Sequence, residues 1–188
     1  MIHQRKILRF WIIILLCILN LGCKDKNKSE FLKDNVIANE DSFNKLVDYF
    51  ISVVPDSNFI ITIGVGTKNT VDLIYYKNEG GNAKYIGGNK LKNHSLELEK
   101  VLKNLGWTYE TINTLKKGLN DINCDYIGNT EYHFKPINVY NTPNGFVNSS
   151  YLIYPLEILD SLKKELNGEP VGKSNFLKRV YIETSSAL

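Results

Sequence analysis

Ten consecutive apolar residues, Phe10–Leu19, stand close behind Arg5, Lys6 and Arg9 and just ahead of Gly22 and Cys23. A basic start, a short apolar middle and a small residue at the processing point make up the plan of a secretory leader. An apolar run this short falls below the ~20 residues that span a bilayer as a helix. This feature constrains the fold most, because it divides the chain into a leader that leaves and a body that must fold without it. The competing reading is an uncleaved anchor, with Ile7 to Cys23 held in the membrane by tilt and local thinning.

Leu21-Gly22-Cys23 resembles the lipobox of bacterial lipoproteins. In that family the leader is cut just before a cysteine that carries a diacylglycerol. The resemblance implies cleavage between Gly22 and Cys23 and lipidation of Cys23. Asn20 departs from the family pattern, which prefers leucine three places before the cysteine; Leu19 lies one place earlier. Lys24-Asp25 is similar to the basic-acidic start of surface-exported lipoproteins in Bacteroidota. The implied location is the bacterial envelope, with the outer membrane favoured. The likeness covers the leader and its junction and says nothing about the fold that follows.

The leader also reshapes the charge. The chain has 23 Lys+Arg against 20 Asp+Glu. Arg5, Lys6 and Arg9 precede Cys23 and no acidic residue does, so the body is neutral, with 20 of each sign. A nucleic-acid binder shows a basic excess or stripe, and this body has none. Of the three cysteines, the resemblance implies that Cys17 leaves with the leader and Cys23 takes the lipid, which leaves Cys124 alone; without lipidation the alternative is a Cys23–Cys124 bridge. The body must then be held by its core and not by disulfides.

Three parts follow: a leader over 1–22, a polar tether over 23–39, and a single α+β domain over 40–188. The tether has mixed charge and few apolar residues, which predicts a mobile spacer. Phe43, Leu46, Val47, Phe50, Ile51 and Val54 recur at helical spacing, with Asp41 or Ser42 as cap and Pro55 as stop. Phe59–Val65 and Val71–Lys77 read as a hairpin of strands, the first apolar on both sides. Ala83–Ile86 adds a short strand, and Gly87-Gly88-Asn89 ends that unit.

Ser95 and Thr108 cap two helices joined at Gly106-Trp107, which the short link makes antiparallel neighbours. Cys124–Gly128 and Tyr132–Tyr140 are strands, the second an edge or bent strand because it holds Pro136. Ser150–Tyr154 is another strand. Pro155 opens a helix through Leu166, and Phe176–Thr184 closes the chain as a strand. Strands in blocks predict an α+β fold: a mainly antiparallel sheet of about five to seven strands with about four helices on one face.

Few constellations point to chemistry. Gly64-Val-Gly66 has Asn69 where a dinucleotide loop needs its third glycine, and a strand follows instead of a helix. Gly168–Ser174 is one residue short of a phosphate loop and sits between a helix and a strand, the reverse of the required order. Cys124, His133 and Asp125 or Glu131 are hairpin neighbours without the clustering of a zinc site. A buried, inert Cys124 is the expectation, and neither a catalytic residue nor a metal or other cofactor is assigned.

Tyrosine is the residue type with something to offer. Tyr75, Tyr76, Tyr85, Tyr126, Tyr132, Tyr140, Tyr151 and Tyr154 all fall on or beside strands, so alternation sends some to the face opposite the core. The expectation is a membrane-tethered, non-enzymatic binding module with a possible protein partner, an immunity-type lipoprotein being one version. It would bind through the sheet face or the loop Asn141–Asn148. The alternatives are an enzyme acting on envelope polymers through carboxylates and a purely structural envelope component.

Overall fold

The structure is a computed structural model of the chain that describes residues 24–55, 59–67, 69–79, 82–85, 88–129, 136–141, 149–162 and 170–183. Among these lie the helices α1 (Lys24–Ala38), α2 (Glu40–Val53), α3 (Leu96–Leu105), α4 (Tyr109–Asp121) and α5 (Leu159–Leu162). The strands are β1 (Phe59–Gly64), β2 (Thr70–Glu79), β3 (Asn82–Tyr85), β4 (Gly88–Lys92), β5 (Tyr126–Asn129), β6 (Ile137–Asn141), β7 (Ser149–Ile153) and β8 (Val180–Glu183). The eight strands form one sheet in the order β3-β2-β1-β5-β6-β7-β8, with β4 also paired to β2. Every pairing is antiparallel. The chain is α+β, as its block order predicts.

Register decides which strand residues enter the core. Ile61 faces Tyr75, Ile63 faces both Leu73 and Ile127, Val139 faces Ile127 and Tyr151, and Ile153 faces Val180. All of these are buried, and they pack with residues of α1 to α4 in one core. Four helices therefore cover one face. The described part of α5 goes to the other: Leu159 packs with Tyr154 and Tyr181 in a small second cluster beside Leu152. The first strand is accordingly not apolar-covered on both sides; Ile61 and Ile63 are buried, while Ile60 and Thr62 on the opposite face are half-buried.

The helix stripes behave as their spacing predicts. Phe43, Leu46, Val47 and Phe50 of α2, Leu98, Val101, Leu102 and Leu105 of α3, and Ile112, Leu115 and Leu119 of α4 are buried. Ile51 and Val54 lie at the margin of the α2 stripe, Ile51 exposed and Val54 half-buried. Ser95 accepts from the Leu98 N–H, and Thr108 forms a reciprocal capping box with Thr111. Gly106 takes the left-handed conformation at φ 66° that ends α3. Trp107 is the packing plug its corner position predicts: it is buried and its indole N–H donates to the Val53 carbonyl at 2.6 Å. That bond satisfies a free carbonyl at the end of α2.

Several expectations are corrected. The segment 23–39 is not a mobile tether: it is helical from Lys24 to Ala38. Leu32 and Val36 are buried, and Asn35 donates from Nδ2 to the Ile122 carbonyl at 3.0 Å and to the Tyr151 hydroxyl at 3.2 Å. Three anchoring side chains hold a helix that shows no continuous apolar stripe, which is why its composition reads as an arm. The α2 cap also moves, from Asp41 or Ser42 to Asn39, which turns directly out of α1.

The helix neighbour of α4 is α2, not α3, and Gly118 makes the approach close: a Cβ there would stand 2.8 Å from Leu46 Cδ1. Gly88–Lys92 is the strand β4, not the end of its unit. Pro136 precedes β6 instead of lying within it, so β6 is an interior strand with partners on both sides. The expected helix after Pro155 opens as a 3-10 turn, Leu156–Ile158, and continues as α5, while its expected reach to Leu166 lies outside the described residues. A second 3-10 turn, Leu177–Arg179, shortens the final strand.

Candidate functional site on the open face of the sheet

The face turned away from α1 to α4 carries the even-numbered residues of β1, β2, β5, β6 and β7. One cross-strand row runs over it: Asp72 faces Gly64, Gly64 faces Tyr126, Tyr126 faces Tyr140, Tyr140 faces Ser150, and Ser150 faces Glu183. Gly64 makes the row work. A Cβ on Gly64 would stand 2.3 Å from Tyr126 Cε1, so the Tyr126 ring lies over β1 in the space a side chain would fill. Leaning this way, its hydroxyl crosses a whole strand and donates to Asp72 Oδ2 at 2.9 Å.

Tyr140 leans the same way and stacks on Tyr126, with ring centroids 4.9 Å apart and planes 7° from parallel. At the far end Ser150 Oγ donates to Glu183 Oε2 at 3.4 Å. Aromatic neighbours across strands are a recognised source of sheet stability.

Asp72 is a junction. Its second oxygen accepts from the Lys90 N–H at 3.0 Å. Lys90 has φ 56°, and the β2–β4 register shifts between Val71 and Leu73. The carboxylate thus ties an irregular edge to a strand on the other side of β1. Lys116 comes from α4 and donates from Nζ to the carbonyls of Thr70 at 3.2 Å and Thr67 at 3.4 Å, clamping the β1–β2 turn. Burial lowers its pKa, and the nearby Asp72 charge opposes that shift. Gly66 supplies the φ of 61° that this turn requires.

These residues border a cleft of about 330 Å³, lined by Val65, Thr67, Thr70, Asp72, Asp125 and Tyr126 among others. Burial, the hydrogen bond to Asp72 and its charge push the Tyr126 phenol up to about 12. Burial and the Asp72 charge also raise Tyr140. At neutral pH both rings carry their protons, so they offer hydroxyl donors and flat apolar area, not bases.

A second aromatic pair stands at the other end of the face. Tyr76 and Tyr85 face each other across β2 and β3, with centroids 5.4 Å apart. Ile60 and Ile74 are half-buried beside them. Towards β7, Asn138 lies between Gly128 and Leu152, and among the described residues its Oδ1 is buried without a hydrogen-bond partner. No family model, curated protein or solved structure matches this chain.

The tyrosines divide as alternation requires. Tyr76, Tyr85, Tyr126 and Tyr140 lie on the open face, whereas Tyr75 and Tyr151 are buried on the core face. Tyr154 sits in the second cluster. Tyr132, His133, Glu131, the loop 142–148, Gly168, and Gly22 and Cys23, where cleavage and lipidation are expected, fall outside the described residues.

Cys124 is buried, with its thiol on the Ile122 carbonyl at 3.6 Å, and burial followed by the Asp125 charge pushes its pKa up to about 12. That environment disfavours the reactive thiolate. Ser174, last of the phosphate-loop-like run, donates to Glu40 and accepts from the Leu177 N–H, closing a 3-10 turn. Sequence reasoning missed Asp72, Lys90 and Lys116, and it weighed Gly64 only as part of a dinucleotide loop, not as the space for the Tyr126 ring.

Proposed function

We propose that the chain is a lipoprotein of the bacterial envelope, attached to the membrane through an acylated Cys23, that binds a protein partner and performs no catalysis. The observation that carries this reading is the run from Arg5 to Cys23: basic residues, ten apolar residues, then Leu-Gly-Cys. The binding part rests on the open face, where two tyrosine pairs present aromatic area of the kind enriched at protein interfaces. An immunity-type role, neutralising a toxin at the membrane, is one version.

The enzymatic alternative draws on Asp72 and Asp125, two carboxylates lining one cleft. Both Asp72 oxygens already accept structural hydrogen bonds. That arrangement suits a group tying strands together better than a proton carrier.

Intact-mass analysis of the protein extracted from membranes tests the proposal. A chain starting at an acylated Cys23 is expected, and Cys23→Ala should leave the leader attached and the lipid absent. An acyl-free protein that keeps Met1 would end the lipoprotein reading.

A further inference from the structure

We infer that α1 is a rigid mount which brings Phe31 into the interfacial layer of the membrane, so that the domain rests on the bilayer in one orientation. The inference depends on membrane attachment at the N-terminal junction, as proposed above. It does not depend on how that attachment is made, because a lipid on Cys23 and a retained apolar anchor both leave residue 23 at the membrane surface.

Three observations carry it. First, Lys24, the residue after Cys23, already lies in α1, which runs unbroken to Ala38. Among the described residues no loop lies between Lys24 and the buried part of the helix. At 1.5 Å per residue, Phe31 lies only about 10 Å along the helix from Lys24. The polar layer of a bilayer leaflet is itself about 5–8 Å deep, so a tilt of roughly 40–60° from the bilayer normal brings Phe31 into it.

Second, Phe31 is 64% exposed on a helix whose other exposed residues near it, Glu30, Lys33 and Asp34, are charged. Most of Phe31 faces water, and an aromatic side chain in that position gains by entering the interface. Third, the helix cannot tilt alone. Val36 is fully buried and Leu32 nearly so, Asn35 bonds the Ile122 carbonyl and the Tyr151 hydroxyl, and Tyr151 in turn donates to the Leu32 carbonyl at 3.3 Å. When Phe31 enters the lipid, the sheet turns with it.

Ile37 provides the internal control. It is 48% exposed on the same helix but six residues further on, which places it about 120° around the axis from Phe31. The test uses the full chain, purified from membranes with its native attachment and reconstituted into phosphatidylethanolamine–phosphatidylglycerol vesicles whose acyl chains carry bromine. Phe31→Trp and Ile37→Trp variants are compared against the native tryptophan background. Phe31→Trp emission should shift to the blue and lose at least half its intensity to the brominated lipid, while Ile37→Trp stays unquenched. Vesicle-bound protein with an unquenched Trp at 31, or equal quenching at both positions, overturns the mount and leaves the anchoring reading standing. Protein that does not stay with vesicles at all overturns both.

Discussion

Gly64 shows how one missing side chain sets the chemistry of a face. β-branched residues favour strands over glycine, so propensity alone predicts that Gly64→Val strengthens β1. The structure predicts the reverse. The valine would collide with the Tyr126 ring, now 2.3 Å from the place of a Cβ, and would break the Tyr126–Asp72 bond. A loss of about 2 kcal/mol is expected from overpacking, read as a lower denaturant midpoint. Nothing in the sequence reveals this dependence. It exists because register sets Gly64 beside Tyr126 on one side and Asp72 on the other, and register depends on which strands become neighbours. Tyr75 and Tyr76 are a similar case. Alternation says they point opposite ways, but only the fold shows that Tyr75 is the buried one.

Among elements, legibility follows the apolar stripe. α2, α3 and α4 are plain in the sequence because Phe43-Leu46-Val47-Phe50, Leu98-Val101-Leu102-Leu105 and Ile112-Leu115-Leu119 repeat at helical spacing. α1 is not, because its docking rests on Leu32, Asn35 and Val36 between charged neighbours. β4 hides for another reason: Gly88-Asn89-Lys90 has the composition of a turn, and Lys90 does adopt a left-handed backbone inside the strand. If α1 belongs to the fold and is no spacer, Val36→Ala should destabilise the domain by about 2 kcal/mol in equilibrium urea unfolding. A true tether would show no change.

For the whole molecule, stability should fall on the alkaline side. Tyr126 and Tyr151 are pushed from 10.0 to about 12 and Cys124 from 9.0 to about 12, with burial the leading cause in each. A folded-state pKa raised above its unfolded value means that the fold favours the protonated group. The contribution is complete below the unfolded pKa and disappears as pH climbs through the folded one. Urea midpoints should therefore drop between neutral pH and about pH 11, and Cys124→Ala should show a shallower drop. A flat profile would contradict the burial of these groups.

The outer margin of the sheet beyond β2 is formed by β3 against Tyr76–Glu79 and β4 against Thr70–Leu73, with a register shift between Val71 and Leu73. Lys84 and Lys92 are exposed along it. An invading chain meets an irregular stretch of backbone at β4, where the register shifts and Lys90 has a positive φ, guarded by positive charge. Crowded copies of this protein are thereby discouraged from zipping together into fibrils through that border.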